Sequence, residues 1–361
     1  MHRYAWVVGL AIVLSSCTST SGSTPVATDP RVAEQPAPAA PTPAPLPPSP
    51  SPPTPPPAPP PPAAPSAACA LTLATRHVDD ARTPLFASTS GVPALYFRAD
   101  LDVNTDGSSR SYHPDDPRGR TLALNNIANA ISDLKDAQGN DIDCSPRSGA
   151  CFTRYIETFI AARDARWDPA GHPRVATDGM IPWAFDPSLG RPAPCTIREG
   201  RHAGFFVSPT AFVVDPSRDA CDQSRYLDSL AFNAAVLPRN AAWHAQGQRA
   251  KLGDLVVVRR PSDGRIAFAI LGDIGPARAI GEGTIALAAA LRGTPVGEEA
   301  TYATVRALAL PDVQYLVFPG TDLRGRIAGP PTQAKIDAEA AALFEAWGGA
   351  SALALCEALP R

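Results

Sequence analysis

Two acidic residues nine positions apart have the types and setting that proton-transfer chemistry needs: Asp273 in Gly272-Asp273-Ile274-Gly275-Pro276 and Glu282 in Gly281-Glu282-Gly283-Thr284-Ile285. A glycine-rich turn between them can fold both carboxyls toward one cleft. Hydrolysis of a glycosidic bond with inversion uses such a pair, with the carboxyls about 6.5 to 9.5 Å apart. One is protonated to assist the leaving oxygen and the other is ionised to activate water. The same residues also fit a plainer role, Asp273 as a turn cap and Glu282 as an acid favoured at a helix N-terminus. Spacing alone leaves both readings open.

A second acidic segment lies upstream. Asp100-Leu101-Asp102-Val103-Asn104-Thr105-Asp106-Gly107 places three carboxylates within seven residues, with no base before Arg110. Asp102, Asn104, Asp106 and Gly107 match the first half of a calcium loop, yet His113 stands where the bidentate Glu belongs. The segment reads as a calcium loop, a solvated turn or an acidic groove for a cationic ligand, because clustered like charges are costly unless something positive compensates them.

The elements that must position these residues are short β-rich runs: Ala94 to Leu101, His202 to Val214, Ala231 to Leu237, Leu252 to Arg259, Arg265 to Asp273 and Val313 to Phe318. Leu255-Val256-Val257-Val258, the turn Pro261-Ser262-Asp263-Gly264 and the run Ile266 to Leu271 form a hairpin pattern. Helices are expected over Leu122 to Asp136, Gly283 to Leu291 and Thr332 to Trp347. The last carries Ile336, Ala340, Leu343, Phe344 and Trp347 at spacings near 3 and 4, with Gly348-Gly349 as the stop. No βαβ alternation occurs, so a doubly wound sheet is disfavoured. The expected fold is mainly β (α+β): a closed six-stranded antiparallel or mixed β-barrel with peripheral helices, the double-psi arrangement being one candidate.

Other chemistries find no support. There is no GxSxG elbow, HExxH, Walker loop or GxGxxG after a strand. The six histidines show no i, i+4 pairing, so no metal and no cofactor is expected. Seven cysteines are an odd number. Assigning Cys17 to lipid leaves Cys69, Cys144, Cys151, Cys195, Cys221 and Cys356, the number that three disulfides require in an oxidising compartment. Cys144 to Cys151 is the favoured local bridge and Cys195 to Cys221 the next, which by elimination leaves Cys69 to meet Cys356.

The first seventeen residues read as a lipoprotein signal peptide: a basic start, an apolar run from Ala5 to Leu14 too short to span a bilayer, and then Leu14-Ser15-Ser16-Cys17, similar to a lipobox. Thr18 and Ser19 follow where an inner-membrane signal usually carries Asp, so the expected destination is the outer membrane or the extracellular side of the cell envelope. Of 42 prolines, 18 fall between Pro36 and Pro65, so residues 18–66 form a polyproline-rich linker rather than a packed fold. That leaves 67–361 as one globular domain. With 32 basic and 35 acidic residues the formal charge is -3, which argues against a nucleic-acid footprint.

Taken in order along the chain, several pieces resemble glycoside hydrolase family 75, the chitosanases. They are Phe97-Arg98-Ala99-Asp100-Leu101-Asp102 through Asp106-Gly107, Tyr112-His113-Pro114-Asp115, Asn129-Ala130, Tyr226-Leu227-Asp228, Gly253-Asp254-Leu255, Gly272-Asp273 with Ile280-Gly281-Glu282, and Phe318-Pro319-Gly320. The resemblance spans most of Phe97 to Gly320. Gly283-Thr284 departs from it, standing where Ala-Ser is expected, and the loop between the carboxylates is short.

The resemblance implies an endo-acting, inverting hydrolase of β-1,4-linked glucosamine polymers, with Asp273 and Glu282 as its essential carboxylates. Asp100, Asp102, Asp106, Tyr112, His113 and Asp228 become the expected substrate-binding residues. Glucosamine carries an ammonium group at neutral pH, so an acidic groove would attract it and disfavour acetylated units. Glu282 is assigned as general acid and Asp273 as general base. A helix N-terminus would oppose that role for Glu282, while burial or the Asp273 charge would favour it. The expected partners are the polysaccharide and, through the lipid, the membrane, with the protein a monomer. Two alternatives are a peptidoglycan hydrolase using the same carboxylates and a non-catalytic glycan-binding lipoprotein.

Overall fold

The run Leu255-Val256-Val257-Val258 is apolar without alternation because both of its faces are covered. Val256 and Val258 belong to one apolar cluster with Phe97, Leu271 and Tyr315, whereas Leu255 and Val257 belong to another with Leu316, Phe318, Ile336 and Phe344. A strand buried on both sides loses the polar half of its pattern. The structure, a computed structural model, describes residues 69–361 apart from 80, 132, 137, 143–148, 171–174, 177–180, 240–242 and 244–248. The expected signal peptide, Cys17 and the proline-rich linker lie outside the described residues, as do Cys144, His172 and His244.

In chain order the strands are β1 (Leu71–Arg76), β2 (Pro84–Ser88), β3 (Leu95–Asn104), β4 (Asp133–Leu134), β5 (Val175–Ala176), β6 (Trp183–Asp186), β7 (Arg191–Pro194), β8 (Ala234–Pro238), β9 (Leu255–Arg259), β10 (Ile266–Gly275), β11 (Glu282–Thr284) and β12 (Leu310–Phe318). The α-helices are α1 (Gly149–Asp164), α2 (Ile285–Arg292), α3 (Tyr302–Arg306), α4 (Gln333–Trp347) and α5 (Gly349–Leu355). The main sheet runs β1-β2-β3-β11-β8-β10-β9-β12, and β12 also pairs with β3. Strands β3, β11, β8, β10, β9 and β12 therefore close into a six-stranded mixed barrel, with β1 and β2 as two extra strands. The pairs β8–β10 and β3–β11 are parallel, the other barrel pairs antiparallel.

Inside the barrel Phe97 stacks on Tyr315 at 4.6 Å between ring centroids and meets the edge of Trp243 at 5.1 Å. Outside it, α4 covers β9 and β10 with Ile336, Ala340 and Phe344 fully buried, each large side chain contributing about 1.5–3 kcal/mol by leaving water. Thr332 caps α4 by accepting from the Lys335 N–H, and Gly348 at φ 128° ends it. The β9–β10 hairpin pairs Arg259 with Ile266, with Gly264 at φ 73° in the turn.

Two expected elements are absent. Among its described residues Leu122 to Asp136 holds only a 3-10 turn, Ile127–Asn129, β4 and an isolated bridge at Lys135. Its asparagines hydrogen-bond locally instead, the Asn129 amide and the Asn126 N–H both donating to Asn125 Oδ1, a competition that disfavours helix. His202 to Val214 is likewise irregular, with only isolated bridges at Phe206 and Val213.

Cys69 is bonded to Cys356 and Cys195 to Cys221, as expected. Cys151 is also in a disulfide, but its expected partner Cys144 lies outside the described residues. The Cys69–Cys356 bridge spans 287 residues and fastens β1 to the segment after α5. Replacing both cysteines by serine is expected to lower the unfolding free energy by about 2–5 kcal/mol, read as a reduced urea midpoint with a steeper slope, because the uncrosslinked chain exposes more surface on unfolding.

Candidate active site

A one-residue bulge decides where Asp273 points. In β10, Leu271 pairs with Ala235 and Asp273 with Val236, so Gly272 is left over. In a regular strand residues two apart share a face, and Asp273 would follow Leu271 into the barrel interior. The extra residue turns it outward. Only glycine fits there, since a Cβ on Gly272 would lie 2.6 Å from the Ala234 Cβ.

Register then aligns the acids. Val236 of β8 pairs with Asp273 on one side, and the pairing of Gly283 with Ala235 on the other brings Glu282 level with Val236. Across β11, Glu282 pairs with Asp102 and Thr284 with Asn104. Asp273, Val236, Glu282 and Asp102 form one row across four strands. Neighbouring strands are about 4.8 Å apart, so Asp273 and Glu282 stand about 10 Å apart at the backbone. Glu282 Oε2 reaches to 3.7 Å from the point a Cβ on Gly275 would occupy, two residues beyond Asp273. Gly281, at φ 89°, lets β11 approach β3 closely, because a Cβ there would collide with the Asp100 carbonyl. The Tyr315 hydroxyl donates to the Gly281 carbonyl at 3.2 Å and secures that turn from beneath.

Asp273 Oδ1 accepts the N–H groups of Ala211 and Ile274, each at 2.9 Å, and Oδ2 accepts from the Asn104 amide at 3.4 Å. Burial still outweighs these donors and raises the Asp273 pKa to about 6. Glu282 is raised to about 7, first by burial and then by the charges of Asp102 and Asp273. The Glu282 position differs from expectation, since it lies in β11 and not at a helix start. Thr284 is the N-cap of α2, and Ser229 Oγ accepts the Ile285 N–H.

Neither a protein-family model nor a curated protein matches the chain. The site is therefore described by its own geometry, and that geometry sorts the remaining sequence candidates by depth. Asp106 lies behind Asp273, buried, with Oδ1 accepting from the Tyr112 hydroxyl at 2.7 Å and the Ser208 hydroxyl at 3.4 Å. Burial and the Asp273 charge hold it well above the usual carboxylate range. Tyr112 is itself buried and braced by the Asn125 amide, so it reaches the site through Asp106 and does not face an open groove. Asp102 stays exposed as a residue, while partial withdrawal of its carboxyl from water and then the Asp100 charge raise its pKa. Asp100 is exposed and ion-paired with Arg361. Asp228 and His113 lie farther along. Asp228 is half-buried beside Ser229, whose hydroxyl donates to the Asn104 carbonyl at 2.8 Å. His113 packs edge-on against Phe205 at 4.7 Å.

Two contributors escaped sequence reasoning. The Ala211 N–H comes from the stretch expected to be a strand, and a backbone donor has no residue-type signature. Asn104 reads in sequence only as a calcium-loop position, yet its side chain also accepts the Asp106 N–H at 2.7 Å and so couples the two acidic segments. Among the described residues no group of three His, Cys, Asp or Glu side chains could hold a metal ion.

The raised carboxyls carry a stability signature. A folded-state pKa above the unfolded value means that the native state binds more protons between the two, so stability falls as pH rises through that window. For Asp273 the window runs from 3.8 to about 6, and for Glu282 from 4.5 to about 7. Asp273→Asn and Glu282→Gln are each expected to stabilise the fold at alkaline pH by roughly 1–3 kcal/mol, with the gain vanishing at acid pH. Urea titrations at both pH values measure it, and variants less stable than wild type at alkaline pH would contradict it.

Proposed function

We propose that the protein is an endo-acting glycoside hydrolase that cleaves β-1,4-linked glucosamine polymers with inversion, as the resemblance to family 75 implies. The observation that carries the reading is the outward-facing row Asp273, Val236, Glu282, Asp102, with its two candidate carboxyls raised to about 6 and about 7. A backbone separation of about 10 Å suits carboxyls that must leave room for a water and a sugar between them.

In this mechanism Glu282, the group with the higher pKa, gives its proton to the leaving oxygen as the bond to the anomeric carbon breaks. Water adds to that carbon from the opposite face, and Asp273 takes the water proton. The N–H groups of Ala211 and Ile274 fix the Asp273 carboxylate, leaving Oδ2 on the Asn104 side. Asp102, exposed beside Glu282, supplies negative charge for the sugar ammonium. An acetylated unit offers it no countercharge, which disfavours chitin. We place the protein in the cell envelope, anchored through Cys17. The disulfides fit such a compartment, and among the described residues no helix is long and apolar enough to cross a membrane.

Activity requires Asp273 ionised and Glu282 protonated. It is lost below about 6 as the base protonates and above about 7 as the acid ionises, giving a bell centred between these values. Asp273→Asn and Glu282→Gln are each expected to lower kcat about 10²–10⁴-fold. Release of reducing ends is to be measured on fully deacetylated chitosan, chitin and peptidoglycan. Cleavage of chitosan supports the reading, cleavage of peptidoglycan alone moves the same carboxyls to another substrate, and binding without cleavage leaves a glycan-binding lipoprotein.

A further inference from the structure

Along β3 the outward positions are Asp100, Asp102 and Asn104, about 7 Å apart in succession. Asp102 and Asn104 lie beside β11 and its Glu282. Asp100 continues the same face one step away from the row, and there the chain supplies its own cation. Arg361 Nη2 donates to Asp100 Oδ1 at 2.6 Å and to the Pro311 carbonyl at 2.8 Å. Its other acidic neighbour, Asp312, lies at 3.8 Å from Nε and is already held by Arg98 through two hydrogen bonds of 3.2 and 2.6 Å. Arg361 is therefore committed chiefly to Asp100.

Its placement is built in. The segment that carries it is fastened by the Cys69–Cys356 disulfide, by Arg98 donating to the Glu357 carbonyl at 2.8 Å and by the ion pair of Arg259 with Glu357. The pair with Asp100 is itself open to solvent, its side chains 48% and 63% exposed, so it stabilises the fold little. Its electrostatic effect on a ligand is larger, because it neutralises one of the two exposed acids of the face. Arg306, the cation whose charge acts on Asp102, lies on α3 and makes no ion pair with it among the described residues.

We infer that Arg361 is a specificity-determining residue that occupies Asp100 and ends the acidic groove there, so that a glucosamine chain finds its anionic partners at Asp102 and inward but none at Asp100. The inference rests on the glucosaminide reading above. Asp100, one of the expected substrate contacts, is on this view a silent site that Arg361 keeps occupied.

The test is calorimetric titration of a glucosamine hexamer into the Glu282→Gln protein, which binds without turnover, at low and high ionic strength, with the N-acetylated hexamer as neutral control. Arg361→Gln is expected to tighten binding of the cationic hexamer about two- to fivefold at low ionic strength, to do so little at high ionic strength, and to leave the neutral hexamer unaffected. Asp100→Asn alone, which leaves Arg361 without its countercharge, should weaken binding of the cationic hexamer by a similar factor at low ionic strength only, and the double variant should bind as the parent does. Thermal melting confirms that each variant is folded. Unchanged or weaker binding in Arg361→Gln, or binding weaker than the parent's in the double variant, overturns the inference while leaving the glucosaminide reading intact. No binding of the cationic hexamer by the parent protein overturns the reading, and the inference with it.

Discussion

A single unpaired residue, Gly272, governs the chemistry available to this fold. Without the bulge Asp273 would enter the packed interior beside Leu271, where an ionised carboxyl has no counterpart and a neutral one displaces apolar volume. With it, the strand passes from a buried, fully apolar half to a half whose side chains meet solvent. The extra residue costs a ladder position, which the neighbouring segment restores: the Phe212 N–H donates to the Gly272 carbonyl at 3.0 Å while the adjacent Ala211 N–H takes Asp273. One irregularity thus orients the carboxyl and recruits the loop that holds it.

The parallel pairing of β3 with β11 is the second constraint, and it works against the first in energy. It sets Glu282 beside Asp102 while Asp106 lies behind Asp273, so four acids influence one another across a small surface. Charge repulsion is relieved by the upward shift of Asp106 and by dipoles: Asp106, held well above the usual carboxylate range, accepts the Tyr112 and Ser208 hydroxyls, and Asn104 bridges Asp106 and Asp273. The barrel interior, with its stacked Phe97 and Tyr315 and the apolar layer under α4, supplies the stability against which this local cost is set. Sites of function commonly sit where local rules are broken and the rest of the fold compensates.

What was legible in the sequence follows burial. β9, β10 and β12 are covered on both faces and stand out as apolar runs, and α4 shows its spacing because one stripe faces the barrel. Glu282-Gly283-Thr284 carries no strand signature: three residues, two of them poor strand formers, become β11 only because β3 and β8 flank them. The opposite error occurred at Leu122 to Asp136, whose apolar residues Ile127, Ala128, Ile131 and Leu134 belong to a separate small core with α1. The signal for α1 was present, since Tyr155, Ile156, Phe159 and Ala162 follow helical spacing and are all buried. For the site, residue types at 100–106, 273 and 282 were readable, but depth was not. The same carboxyl reads alike in sequence whether it is exposed like Asp102 or buried like Asp106.

Depth and dipoles together also separate the roles proposed for the two central acids. A helix N-terminus acting on Glu282 would have favoured its anion and reversed the assignment. Instead Thr284 and Ser229 serve the start of α2, and Glu282 sits before the cap, outside the first turn in which a helix dipole acts. Its nearest influences are burial and two like charges, all favouring the neutral acid. Asp273 is equally withdrawn from water but receives two backbone N–H groups and an amide, all favouring the anion. The asymmetry therefore comes from the donors that the loop at Ala211 and the strand end at Ile274 direct at one carboxyl alone, and it favours the anion at Asp273 over the anion at Glu282.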